Sequence, residues 1–266
     1  MSLVVLASAK GAPGVTTTIA ALAHVWPDQV DPLLIELDPA GGDLTGRFGL
    51  TSEPGLVTLA ARSHRCGGSV DLLAHAQQAR GVRVIPAPPG RAAGRATSLL
   101  GPALGAALAR LARDTDVLVD AGRVDGAGPD GPSTTGVLAA ADVVAVVCRS
   151  SAGDLAHAVS AVVELQESGR RAGLVPIGTS GDIGRASRAV AVPVLGSLPD
   201  DPRGADAMAG HPVRPWLLER LPLVRAARGL ADALTAEIGS SGPVRVPEIA
   251  LRPAGNAPLV EPGGVR

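Results

Sequence analysis

The 266-residue chain has no tyrosine, a single phenylalanine and two cysteines. Those cysteines, Cys66 and Cys148, lie far apart and make none of the short spacings that metal or redox centres use. No basic n-region precedes the first apolar run, "LVVLASA", so the two read as reduced thiols in a cytoplasmic protein. Long hydrophobic runs are missing as well: none approaches the roughly 18 residues that a membrane-spanning helix needs. Nor is there an excess of charge of one sign. A formal net charge of -1 gives no global electrostatic case for nucleic acid or an anionic membrane, which leaves only local basic patches.

The most informative shortage is lysine. Of the 24 basic residues all but Lys10 are arginine, and asparagine occurs once. Richness in Ala, Gly, Pro and Arg points to a GC-rich coding bias of the kind found in many actinobacteria. Where arginine fills every other basic role, a lone lysine suggests a need for a compact ammonium on a flexible stem.

What is present is a 46% hydrophobic content, enough for one sizeable core. Short unbroken apolar runs recur at 3–9, 32–38, 82–87, 116–122, 142–150, 173–178 and 192–199. Runs without alternation are the signature of strands buried on both faces. Helix candidates lie between them at 16–25, 97–113, 151–168 and 224–237. The alternation predicts an α/β fold, a mainly parallel, doubly wound sheet of about seven strands with helices on both faces. We expect one domain over 1–239 and a Pro/Gly-rich tail over 240–266, where no helical period survives.

The first strand runs into "AKGAPGVTT", and a helix begins near Thr16. Strand, Gly-rich loop and helix in this order form a phosphate-binding arrangement, with backbone N–H groups and the helix dipole converging on an anion. The pattern G-x-x-x-x-G-K-[ST] fails at Ala9 and Val15. Its variant with an early lysine, K-G-G-x-G-K-[ST], is matched at Lys10, Gly11, Gly14 and Thr16 and missed at Ala12 and Val15.

Here the chain resembles the MinD/ParA family of deviant Walker A P-loop ATPases, and the likeness extends over most of 1–238. "LLIELDPAGGDLTGRFGL" is similar to that family's second strand and switch I, and "VLVDAGRV" to its Walker B and switch II strand. "VPVLGSLPDDPRGADAMAGHPV" and "PLVRAARGLADAL" resemble its late strand and final helix. The resemblance implies a SIMIBI-like P-loop NTPase fold, with ATP or ADP and Mg²⁺ as cofactors. It implies a nucleotide-binding set of Lys10, Gly11, Ala12, Pro13, Gly14, Val15, Thr16 and Thr17. Thr16 would offer its hydroxyl to Mg²⁺, Asp120 would hold the ion through water, and Thr17 would meet the α-phosphate. Asp38 would position the attacking water, and Lys10 would reach phosphates, in the family often across a nucleotide-sandwich homodimer.

The departures bear on rate. Val15 removes the ammonium that bridges the β- and γ-phosphates, where transition-state charge needs most stabilisation. Pro13 has no N–H to offer the anion. Glu36 stands where the family commonly has aspartate and Ala40 where many members have glutamine. Arg123 occupies the position of the D-x-x-G glycine, directly after Gly122, and "GTSGD" lacks the adenine-reading asparagine. Other chemistries find less support. The histidines (24, 64, 75, 157, 211) have no ligand spacing, no G-x-S-x-G elbow is present, and "KGAPGV" is no dinucleotide fingerprint. The cysteines match no interface cluster of the iron-protein relatives.

The resemblance thus implies a cytoplasmic switch whose nucleotide state controls dimerisation, positioning chromosomes, plasmids, septa, pili or other bacterial machinery, with weak or absent hydrolysis. Two alternatives stay open: a nucleotide-independent scaffold of the same fold, and a metabolic P-loop phosphotransfer enzyme. Autonomous membrane binding is not expected. Pro243, Pro247, Pro253, Pro258 and Pro262 interrupt any inserting helix in the tail, and its leucines, Leu251 and Leu259, offer little area to bury. Co-sedimentation with anionic liposomes should leave the protein in the supernatant with and without ATP. ATP-dependent pelleting that survives deletion of residues 240–266 would contradict this expectation.

Overall fold

Leu3–Ser8 forms the first strand, β1, with all six residues buried. Leu3, Val5 and Ala7 enter one apolar cluster, and Val4 and Leu6 enter another on the opposite face. Because both faces are covered, neither selects for polar residues, and the strand reads as an unbroken apolar run. The computed structural model describes residues 1–27, 31–65, 71–101, 103–124, 134–178 and 192–240.

Six further strands follow: β2 (Leu33–Glu36), β3 (Gln77–Ala79), β4 (Val82–Ile85), β5 (Val117–Arg123), β6 (Val143–Arg149) and β7 (Ala172–Ile177). They form one sheet in the order β3-β4-β2-β5-β1-β6-β7. Every pairing is parallel except β3 against β4. One face is covered by α1 (Val15–Val25), and later by α8 (Pro202–Met208) and α10 (Pro222–Gly239). Ile19, Leu22, Val224 and Leu234 are among the residues they bury there. Two short helices, α2 (Leu44–Phe48) and α9 (Pro215–Leu218), lie at its margin. The other face carries α3 (Leu56–Arg65), α4 (Arg91–Leu100), α5 (Ala103–Leu111), α6 (Thr134–Ala140) and α7 (Ala152–Glu167). This is the expected α/β architecture with a mostly parallel sheet. No helix among the described residues is long and apolar enough to cross a membrane.

Three elements differ from the sequence expectation. The single helix expected over 97–113 is two helices, α4 and α5, divided at Gly101, whose φ of 59° continues no α-helix. The run 192–199 makes only isolated bridges to β7, Leu174 to Val194 and Ile177 to Leu198. Pro193 has no N–H for a ladder, and Gly196 sits tight against Leu230, so the segment touches the sheet without joining it. The seventh strand is instead β3, from the polar stretch "QQA". It is folded back on β4 by Arg80 and Gly81, both at positive φ (50° and 81°). Arg80 is held there by its guanidinium, which donates to the carbonyls of Ala207 (3.1 Å) and Gly210 (2.9 Å) and lies over the Phe48 ring.

Cys66, most of "GTSGD" and the expected tail beyond Ser240 lie outside the described residues. Cys148 is buried in β6, and burial pushes its thiol up to about 11, so it is no nucleophile at neutral pH.

Candidate functional site

The turn from β1 into α1 depends on two glycines in the left-handed region, Gly11 at φ 68° and Gly14 at φ 114°. Gly14 caps α1, and its carbonyl accepts from Thr18 N–H at 2.9 Å. No side chain caps this helix, and its first turn contains no acidic residue. The first-turn amides therefore point at an anion-accepting concavity that the protein's own carboxylates leave free. Lys10, Gly11 and Ala12 are exposed, Pro13 is buried, and Thr16 and Thr17 are half-buried. Val15 turns the other way: it is 6% exposed and belongs to the core cluster with Ile19 and Ile177.

Thr16 faces the central strand. Its hydroxyl donates to Asp120 Oδ2 at 2.7 Å, while Gly122 N–H donates to the other carboxylate oxygen at 2.9 Å. Asp120 is fully buried, and burial pushes its carboxyl up to about 6, opposed by those two hydrogen bonds and by the Arg47 guanidinium. Beside it in register stands Glu36 of β2. Glu36 accepts from the backbone N–H groups of Asp43 (2.6 Å), Leu44 (3.1 Å) and Ala87 (3.0 Å). Burial still dominates there and raises its carboxyl to about 7, with a smaller contribution from the Asp120 charge.

Asp38 follows β2 at the same edge of the sheet. Its carboxylate accepts from Ala40 N–H at 2.8 Å, and its pKa is raised by burial. It rests on Gly122: a Cβ there would land on the Asp38 carboxyl group. Gly122, at φ 62°, stands one residue before the position 123 of the D-x-x-G spacing. A bulge falls here. Leu6 pairs with Asp120 but Ser8 pairs with Arg123, which leaves one extra residue on β5.

Sequence reasoning passed over Arg47 in α2. Its Nη1 donates to Thr17 Oγ1 at 3.0 Å and its Nη2 pairs with Asp43 at 3.1 Å. No motif flagged it, because its partner in the loop is 30 residues away. Glu36 had read as a departure, yet it ties the turn before α2 to the turn after β4. The structure therefore brings together Thr16, Thr17, Asp38 and Asp120 of the expected set, adds Glu36 and Arg47, leaves Lys10 at the exposed loop and buries Val15.

Chemically, the edge offers uncapped N–H groups that suit an anion, and hydroxyl and carboxylate oxygens of the kind that hard divalent cations take. Among the described residues no group of three or more His, Cys, Asp or Glu side chains could hold a metal. A cavity of about 280 Å³, bounded by Ala23, Leu34, Phe48, Val82 and Met208, shares no residue with the loop.

No family model matches the chain, and no curated protein matches it. Solved structures do. A ParA family ATPase from Chlorobium tepidum TLS superposes with a TM-score of 0.67 at 19% identity, covering 87% of this chain and 99% of that one. The fold is that of MinD and ParA ATPases. MinD from Pyrococcus horikoshii OT3, solved with Mg-ADP, gives 0.63 at 17% identity over 87% of this chain and 94% of its own. A chain of the MinC:MinD cell division complex from Aquifex aeolicus gives 0.66 at 14% identity over 89% and 96%. At these identities what the MinD/ParA proteins share with this chain is the fold.

The raised carboxyls set a direction for stability. Asp120 and Glu36 hold protons in the native state that the unfolded chain has released. The stabilisation they give is complete below about pH 4 and lost as pH rises through about 6 and 7. His75, lowered by burial, works in the opposite sense near its own range, so the comparison of interest is between variants. The melting temperature of nucleotide-free Asp120→Asn should fall less steeply between pH 4.5 and 7 than that of wild type. Parallel curves would show that Asp120 stays ionised.

Proposed function

We propose that the chain is a MinD/ParA-like, nucleotide-dependent dimerisation switch that positions or regulates a bacterial cellular machinery, with weak or absent ATP hydrolysis. The observation that carries this reading is the Thr16–Asp120 hydrogen bond, which joins the Gly-rich turn to the central strand with Asp38 alongside. ATP or ADP with Mg²⁺ would supply the γ-phosphate-dependent difference between two states. The chain's own residues do the rest. The amides of Gly11, Ala12, Gly14, Val15, Thr16 and Thr17 bind phosphate oxygens, with Pro13 contributing shape but no donor. Thr16 and Asp120 would hold Mg²⁺, Thr16 by its hydroxyl oxygen and Asp120 as its ionised carboxylate, and the ion would supply positive charge beside the phosphates. Asp38 orients water at its carboxylate. Lys10, exposed at the loop, would reach phosphates of its own or a facing protomer in a homodimer.

The burial of Val15 limits turnover. A lysine at this position would meet the β- and γ-phosphates, whereas the valine packs into the core and leaves that charge unmet. This same feature lends weight to a second reading, a scaffold of the same fold with no nucleotide cycle. A cytoplasmic location, a protein partner and a tail over 240–266 belong to the proposal. The Aquifex aeolicus complex shows MinD with MinC, and a partner of this chain is open to identification by capture on the ATP-loaded protein. DNA binding has no support in the net charge and would require an arginine patch on the dimer.

Two measurements decide between switch and scaffold. Calorimetry should show Mg-ATP binding weakly to moderately and Lys10→Ala losing a large part of the affinity. Equal affinities would remove Lys10 from the site, and no wild-type binding at millimolar nucleotide would leave the scaffold.

Hydrolysis should be very slow, and Val15→Lys should raise it about ten- to a hundredfold, the value of a charge-assisted contact of roughly 1.5–3 kcal/mol. The variant should also lose roughly 1.5 kcal/mol of stability or more, since a buried valine is given up. Brisk wild-type turnover that depends on Asp38 would show that Val15 is no handicap.

A further inference from the structure

We propose that Arg47 is a phosphate-binding residue, the cation that meets the α- or β-phosphate of a nucleoside di- or triphosphate in a loop whose own lysine position is valine. The assignment rests on the nucleotide reading above and goes beyond it, to a residue outside the loop.

Arg47 is held in place from three sides. The turn before α2 is anchored where Glu36 accepts the N–H groups of Asp43 and Leu44, and the Leu44 side chain is fully buried. The Arg47 carbonyl is backed by Gly210, where any Cβ would collide with it. Its side chain is 21% exposed and points across the start of α1, where Nη1 lies 3.0 Å from the Thr17 hydroxyl.

A purely structural brace accounts for less of this. The carboxylate partner, Asp43, is 62% exposed on the same helix, and an exposed i,i+4 pair of that kind contributes only a few tenths of a kcal/mol. Inside the site the guanidinium meets a neutral hydroxyl, an undemanding partner for a fixed cation. A guanidinium presents five N–H donors in a planar fork that matches two phosphate oxygens, and the two bonds described leave donors for one. Thr17 is the second residue after Val15 in the first turn of α1, so the cation stands beside that turn. Arg47 is therefore expected to support binding of diphosphate and triphosphate alike, and to leave the γ-phosphate, and with it turnover, unaided.

The test is calorimetry of Mg-ADP and Mg-ATP with wild type, Arg47→Gln and Arg47→Lys at two salt concentrations, with thermal melts of each nucleotide-free protein. Arg47→Gln should weaken both nucleotides about tenfold or more, the worth of a charge-assisted bond. The loss should shrink at high salt, and Arg47→Lys should recover part of it. A tie that is only structural would lower the nucleotide-free melting temperature without a salt-dependent loss that lysine restores. Should Arg47→Gln melt early, the salt dependence of Arg47→Lys against wild type carries the same comparison. Wild-type binding that neither substitution alters would overturn this assignment and leave the nucleotide reading standing. No binding by wild type would overturn both.

Discussion

A single hydrogen bond, from the Thr16 hydroxyl to the Asp120 carboxylate, closes the site on the central strand of the sheet. Around it, burial opposes charge: the Asp120 carboxyl is raised to about 6 and its neighbour Glu36 to about 7. Two carboxylates side by side in register are unfavourable in a dry core unless something neutralises them. In the described structure that task falls to protons, backbone amides and Arg47. A divalent cation brought in with a nucleotide would do the same more strongly. It would release the protons as it bound, so its affinity should be higher on the alkaline side.

Val15 belongs to the core, and the neighbouring helix α2 carries the Arg47 guanidinium beside Thr17. A cation carried on α2 moves when that segment moves, whereas a lysine in the loop is fixed to α1. Lys10 remains exposed at the outer side of the loop, free of that coupling. The two cations beside the β1–α1 turn thus sit on separate elements, Arg47 on α2 and Lys10 in the turn itself.

Much of the fold was legible because burial on both faces leaves an unmistakable trace. β1, β2, β5, β6 and β7 all read as continuous apolar runs, and the glycines of the loop stood out. What could not be read depends on partners distant in the chain. β3 is polar, and its turn is held by Arg80 on carbonyls of residues 207 and 210. The segment 192–199 has a strand's composition but too few donors and too close a neighbour to join the ladder. The contact of Gly122 with Asp38 was not legible, because a bulge on β5 is a property of pairing rather than of spacing. Of the site, Thr16, Asp38 and Asp120 were visible as a motif in order. Arg47 was not, since an arginine among many carries no mark until its position is known.

The three amides on Glu36 come from two separate turns, 43–44 and 87, and both end on one carboxylate. A Cβ on Gly41 would strike the backbone of Gly90, so the turns also abut directly. Neither can shift alone without stranding a buried acceptor or closing on its neighbour. The two loops therefore behave as a single jaw hinged on one side chain. An insertion in the 86–90 turn, remote in sequence from every residue that would touch a ligand, would be felt first at Asp38.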